Sequence, residues 1–233
     1  MEEREEELEY VLRHTYVVRP PKQHLSTFGT TTIHYYLLTE PSYTDLVRQG
    51  PETVVREGKL VSERPRIVTP NYLLNLFDGF PHGEEYARYV LSRYGPHEPG
   101  LLYRYRQELK EMTIVSNPSI EVTEKLIRKI EENEDSLAAI IKGVDQMWDV
   151  SLMKFIHELT QRSLERNVFE LSHAGSLETD QAGVPRDARE GIEALFDKAR
   201  YGKVEPAVLK MELDRWGIFE EYQDRFFRLF RRG

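Results

Sequence analysis

The sequence predicts an α+β fold, with a small mixed β-sheet and flanking helices in the first half and a helical bundle in the second. Three observations predict it. Short segments rich in β-branched and aromatic residues crowd the stretch from Tyr16 to Val115. Two of them run into a polar residue and a proline, Thr69-Pro70 and Asn117-Pro118, which is how a strand hands over to a helix. Beyond Ile120 the apolar residues recur at helical spacing.

The elements follow in order. Residues 2–14 predict a helix with a narrow apolar stripe, Leu8 with Val11 and Leu12, behind a glutamate run that suits a helix N-terminus. Tyr16-Val17-Val18 is a short strand stopped by Pro20-Pro21. Residues 30–39 read as a strand near the centre of the sheet, because Ile33 to Leu38 is nearly continuous in apolar bulk. Residues 53–62 predict a hairpin turning at Glu57-Gly58. Arg66-Ile67-Val68 is a strand. Thr69 then caps a helix over 71–77, and a second helix is expected over 84–94, ended by Gly95-Pro96. Residues 101–106 and 112–115 read as two separate strands.

From Ile120 onward only helices are expected: 120–132, 136–142, 147–168, 188–199, 206–214 and 219–231, with a polar linker near 172–185. The organisation is therefore a mixed α/β region over 1–117 and a helical region over 118–233.

Composition narrows the class. The chain has 233 residues, 39% of them hydrophobic and 31% charged, enough to bury a core without disulfides. Its mean hydropathy is −0.58, and no run approaches the roughly 18 apolar residues of a spanning helix. The acidic start is unlike a secretory signal or a transit peptide, so a cytoplasmic address and no membrane partner are expected. The absence of cysteine excludes disulfides, thiolate chemistry and Cys-ligated metal. A net charge of −8 means that a nucleic-acid partner would need a local basic patch. No phosphate-binding glycine loop and no nucleophile-elbow pattern is present, and no cofactor is expected.

Four arginines are the first candidates for a site. Period-two alternation places Tyr103 and Tyr105 on one strand face and Arg104 and Arg106 on the other; Arg64 and Arg66 alternate similarly before the Thr69-Pro70 helix start. Guanidinium groups near helix N-termini would suit a phosphate, a nucleotide or a carboxylate. Asp145, Asp149, His157 and Glu158 gather around the long helix, with Asp145 expected as the cap of that helix rather than as a metal ligand. At the C-terminus Phe219, Tyr222, Phe226 and Phe230 form an aromatic stripe, widened by Phe227, that would serve as a partner-contact face.

The segment Arg166-Asn167-Val168-Phe169-Glu170-Leu171-Ser172-His173 resembles the arginine, polar residue, spacer, histidine motif of the HEPN ribonuclease superfamily. It also lies in an all-helical region, as that motif does. The resemblance implies that Arg166 and His173 act catalytically in an RNA-cleaving cleft formed by a dimer.

The reading preferred from the sequence is a non-enzymatic binding or assembly protein. It would recognise another protein or macromolecular complex through the Arg/Tyr-bearing sheet face and the aromatic C-terminal helix. The alternative is a phosphate- or RNA-recognising enzyme using Arg64, Arg66, Arg104 and Arg106, or Arg166 and His173.

Overall fold

The structure, a computed structural model, describes residues 2–41, 50–76, 91–93 and 95–230. In chain order these form α1 (Glu2–His14), β1 (Tyr16–Arg19), β2 (Thr31–Thr39), β3 (Thr53–Ser62), β4 (Arg66–Val68) and α2 (Pro70–Leu76). Next come β5 (Gly100–Leu102), β6 (Tyr105–Val115), α3 (Ser119–Glu132), β7 (Ala138–Lys142) and α4 (Trp148–His173). The chain closes with α5 (Arg186–Arg200), α6 (Pro206–Trp216) and α7 (Phe219–Arg228). The α+β class expected from the sequence is the class observed. The helix expected over 84–94 lies outside the described residues except at 91–93, which are helical.

The chain divides into two compact units, Met1–Arg64 with Tyr103–Asn167, and Pro65–Leu102 with Val168–Gly233. The boundary expected at Asn117 is not where they part. Strand pairing is non-local: β6 and β7 return to the sheet that β1, β2 and β3 begin. The second division falls inside α4, between Asn167 and Val168.

The first unit is built on a five-stranded sheet in the order β1-β7-β2-β3-β6. The β2–β7 pair is parallel and the other pairs are antiparallel, so the sheet is mixed. β2 is the middle strand, as its continuous apolar bulk predicts, and helices cover both of its faces. On one face Ile33, Tyr35, Leu37, Leu60 and Ile141 pack with Leu152, Phe155 and Leu159 of α4. On the other, Tyr36, Leu38, Val55 and Ile140 pack with Val122 and Ile130 of α3. The α4 contacts recur every three or four residues and continue into two buried polar groups. Ser163 Oγ accepts the Leu25 N–H at 3.1 Å, and Asn167 Nδ2 donates to the Leu25 carbonyl at 3.3 Å.

Three strand assignments differ from the sequence reading. Residues 138–142, Ala-Ala-Ile-Ile-Lys, were expected in a helix and form β7 instead. Ala138 to Ile141 are fully buried, and a short apolar run of this kind is claimed by whichever partner buries both its faces. Residues 53–62 do not turn at Glu57-Gly58 but run straight as β3, because β2 and β6 flank them on either side. Residues 105–115 form one strand, not parts of two.

β6 stays continuous because it carries a bulge. Glu57 lies opposite Glu111 and Gly58 opposite Leu109, which leaves Lys110 as the extra residue. A side chain on Gly58 would run into the Tyr35 ring and hydroxyl and come within 2.7 Å of the Glu108 carbonyl oxygen. Glycine is required here by close approach.

In the second unit β4 and β5 form a two-stranded ribbon, and α2, α5, α6 and α7 enclose a core of Tyr72, Ile192, Phe196, Leu209, Leu213 and Phe226. Thr69 caps α2 as expected, its Oγ1 accepting the Tyr72 N–H at 3.4 Å. Gly217 ends α6 in the left-handed conformation, φ 69°. Charged pairs join α5 to α7: Arg189 to Glu221 at 2.8 Å and Arg225 to Glu193 at 2.7 Å. Residue numbers rise together along both helices, so the two run in the same direction. The Arg225 bond holds the Glu193 carboxyl below its ordinary range. Asp180 is also held low; burial opposes its ionisation, but the Val184 N–H and Arg189 outweigh it.

Gly58→Ala is expected to lower stability by about 2 kcal/mol, the cost of forcing an added methyl into packed surroundings. Urea unfolding of the variant beside the wild-type chain measures it.

Candidate functional site

The four arginines chosen from the sequence do not form one group. Arg64, Arg104 and Arg106 belong to the sheet unit and Arg66 to the other. Arg64 lies 5.9 Å from the centre of the Phe28 ring. Arg106 pairs with its strand neighbour Glu108 at 3.1 Å, and both are well exposed. Arg104 falls in the break between β5 and β6, so the regular alternation expected over 102–106 is interrupted.

Arg66 is half-buried and tied to a buried carboxylate. It forms a close ion pair with Glu212, whose side chain is 9% exposed. The same carboxylate accepts the Trp216 indole N–H at 3.2 Å and the Tyr72 hydroxyl at 3.4 Å, and Arg215 lies 3.6 Å away. The Tyr72 and Trp216 rings stand 4.6 Å apart. Burial and then the Glu212 charge push the Tyr72 hydroxyl above its ordinary range. Burial opposes the charge on Arg66, yet Glu212 holds its guanidinium above the ordinary value. This network ties α6 to the residues around α2.

A second closed network lies in the sheet unit. Arg56 Nη2 meets Asp145 Oδ1 at 2.8 Å, Arg56 Nη1 donates to Thr39 Oγ1 at 2.9 Å, and Thr39 Oγ1 donates to Asp145 at 2.7 Å. Arg56 lies 5.5 Å from the Trp148 ring centre. Asp145 therefore serves a buried guanidinium and is not the cap of α4 expected from the sequence. Among the described residues no three His, Asp or Glu side chains gather as a metal ion would need.

The tyrosines of the Arg/Tyr segment do share a face, but it is the inner one. Tyr103 and Tyr105 stack at 6.4 Å and pack on the core beneath α4. Tyr105 Oη lies 2.5 Å from Thr160 Oγ1. Burial, with Tyr105 adding to it, pushes the Tyr103 hydroxyl up to about 12.

Arg166 and His173 both lie on α4. Asn167, the polar residue between them, is buried and bonded to Leu25. His173 is exposed; its Nδ1–H donates to the Phe169 carbonyl at 3.0 Å, and its ring stands 4.0 Å from that of Phe169.

The aromatic stripe of the last helix is largely core. Phe226 is buried, and Phe219 and Tyr222 pack against the same cluster. Of the four named partner-contact candidates Phe230 is the one that stands exposed, with Phe227 beside it.

Two surfaces escaped the sequence reading. The first is a cavity of about 620 Å³ in the second unit, at the ends of α5 and α7. Phe196 floors it, and Asp197, Arg200, Tyr201, Arg225 and Arg228 line it. Arg225 is held by Glu193 and lies 4.1 Å from the Phe196 ring. Arg200 and Arg228 have no hydrogen-bond or ion-pair partner among the described residues. Tyr201 is 71% exposed.

The second is β6, an outer strand of eleven residues, exposed from residue 106 to residue 114. Leu109, Met112 and Ile114 are 47%, 56% and 53% exposed. Their partners on β3 are Gly58, Arg56 and Val54, in the same register that sets Gln107 against Leu60. Residues opposite one another across a pair share a face, so all three lie on the α4 side of the sheet. A phase slip in the sequence betrays this arrangement: Tyr105 and Leu109 fall at odd positions, Met112 and Ile114 at even ones.

No family model, curated protein or solved structure matches this chain.

Replacing Arg66 by Met should cost about 2–4 kcal/mol, because it strands a buried carboxylate. Adding Glu212→Gln should recover most of that loss. Chemical denaturation of the single and double variants decides it; a fully additive double variant would show that the two side chains are not coupled.

Proposed function

We propose that the chain is a non-catalytic binding protein that takes up an extended segment of protein along the open side of β6. One observation carries the reading: among the described residues a long outer strand leaves one backbone edge unpaired, and it shows three large apolar side chains on one face. Sheets usually guard such an edge with short strands, prolines or inward-pointing charge. Here Arg106, Glu108, Lys110 and Glu111 supply charges of both signs, away from the apolar face. The matching partner is an extended segment, apolar on one face and mixed in charge on the other. Backbone hydrogen bonds would supply affinity and the alternate side chains would supply specificity. No membrane partner is invoked; among the described residues no helix is long and apolar enough to cross a membrane. A cytoplasmic setting fits the cysteine-free composition.

The test replaces Met112 and Ile114 together by lysine. A partner that binds the wild-type chain should lose at least about tenfold in affinity, since each buried apolar side chain contributes about 1.5–3 kcal/mol. Phe230→Ala should leave that affinity unchanged. Amide exchange should slow over residues 106–115 when the partner is added. A partner that binds both variants equally and leaves those amides exchanging freely would refute the reading.

A second reading, recognition of a phosphate-bearing ligand, is supported by the cavity at Arg200 and Arg228. Two guanidinium groups with no partner among the described residues line the same cavity as an exposed tyrosine that offers a stacking surface. Titration with nucleotides and short RNA should then show saturable binding that Arg200→Glu with Arg228→Glu abolishes. Absence of binding at low salt would end that reading.

A further inference from the structure

We propose that the segment seated on β6 is β6 of a second copy of this chain, antiparallel to the first about a two-fold axis at Lys110-Glu111. This rests on the reading of β6 as a docking edge and names its occupant.

The bulge selects the partner. Before it, the α4-side face carries Tyr105, Gln107 and Leu109; after it, the same face carries Met112 and Ile114. The other face carries Arg106, Glu108, Glu111 and Thr113. Lys110 joins that face, since its ammonium meets Glu57 at 2.6 Å while Glu57 also lies 4.0 Å from Lys129 of α3. A regular strand keeps strict alternation. It can match one half of β6, but then presents its wrong face to the other half. A strand that matches both halves needs the same slip at the same place.

A second copy has that slip. The two-fold arrangement setting Lys110 opposite the partner's Glu111 also sets Leu109 opposite the partner's Met112. Continuing outward, Glu108 meets the partner's Thr113, Gln107 the partner's Ile114, and Arg106 the partner's Val115. Every pair shares a face. The apolar pairs lie together on the α4 side, and two reciprocal Lys–Glu pairs lie on the other. No like charges stand opposite one another.

Neighbouring registers do worse. Moving the copy one way by two positions sets Glu108 against the partner's Glu111. Moving it the other way sets Glu111 against the partner's Met112, which points to the other face. A shift by one position makes Lys110 or Glu111 meet its own copy. The exposed Leu109 and Met112 find apolar cover in the matching register, while charge pairing fixes it. An interface of one strand pair is at the small end of the range for specific association, so the dimer is expected to form and dissociate with concentration.

Sedimentation equilibrium of the full chain from about 1 μM to about 1 mM tests this. The wild-type chain should pass from monomer to dimer within that range. Lys110→Glu and Glu111→Lys should each weaken the dimer about tenfold, because each creates two like-charge cross-strand pairs. The double swap, carrying both substitutions, recreates the reciprocal pairs and should return the dimer to within about threefold of wild type. Met112→Lys should weaken it without rescue. Circular dichroism and urea unfolding confirm that each variant folds.

A chain that stays monomeric throughout would overturn the self-pairing. The docking reading is then judged separately, by whether a different partner is lost with Met112 and Ile114. A dimer indifferent to all four variants would equally overturn the proposal, as would one that the double swap fails to restore.

Discussion

The parallel pairing of β2 with β7 is the constraint on which the sheet unit depends. Both strands are buried on both faces, so each must find backbone partners on both sides and apolar cover above and below. β1 and β3 supply the remaining backbone partners. α3 and α4 supply the cover. The pairing joins parts of the chain far apart in sequence, with Tyr35 opposite Ala139 and Leu37 opposite Ile141. Its ends are pinned by polar groups. His34 Nδ1–H donates to Asp135 Oδ2 at 2.7 Å at one end, and Thr39, Arg56 and Asp145 close the other.

Two arginines, buried Arg56 and half-buried Arg66, show how this acidic chain uses cationic side chains. Arg56 and Arg66 each sit beside a carboxylate and each approach an aromatic ring, Trp148 in one unit and Tyr72 in the other. A guanidinium carries several donors in fixed directions, so one arginine can hold a carboxylate and still bond a second group, as Arg56 does with Thr39. Such pairs are costly to break by halves, because the remaining charge has nowhere to go. They act as internal ties and leave little for a ligand. Among the described residues, Arg200 and Arg228 at the ends of α5 and α7 have no such tie.

The surface of the sheet unit is uneven in a way that suits association. One edge, β1, is short. The other, β6, is long and exposed from residue 106 to residue 114. The bulge opposite Glu57-Gly58 also decides which side chains β6 offers outward. A single extra residue brings Leu109, Met112 and Ile114 to one face and breaks the regularity that an arbitrary strand would need to pair there. The same feature therefore serves packing and sets the terms for docking.

Much of the fold was legible in local chemistry. The central place of β2, the Thr69 cap, the Pro206 helix start and the Gly217 stop follow from side-chain bulk, hydrogen-bonding groups and backbone freedom, which act within a few residues. The sequence by itself also determined the α+β class and excluded thiol chemistry. Tertiary structure decided what depends on distant partners. Ala138 to Ile141 have no β signal strong enough to exclude a helix; they become a strand because β2 and β1 bury them. Glu57-Gly58 would suit a turn, but Tyr35 and β6 hold the chain straight. Arg66 and the C-terminal aromatics look like surface recognition groups until Glu212 and the α5–α6 core claim them. Local periodicity reports which face of an element is apolar, but whether that face meets solvent or another part of the chain is set by residues far away in sequence.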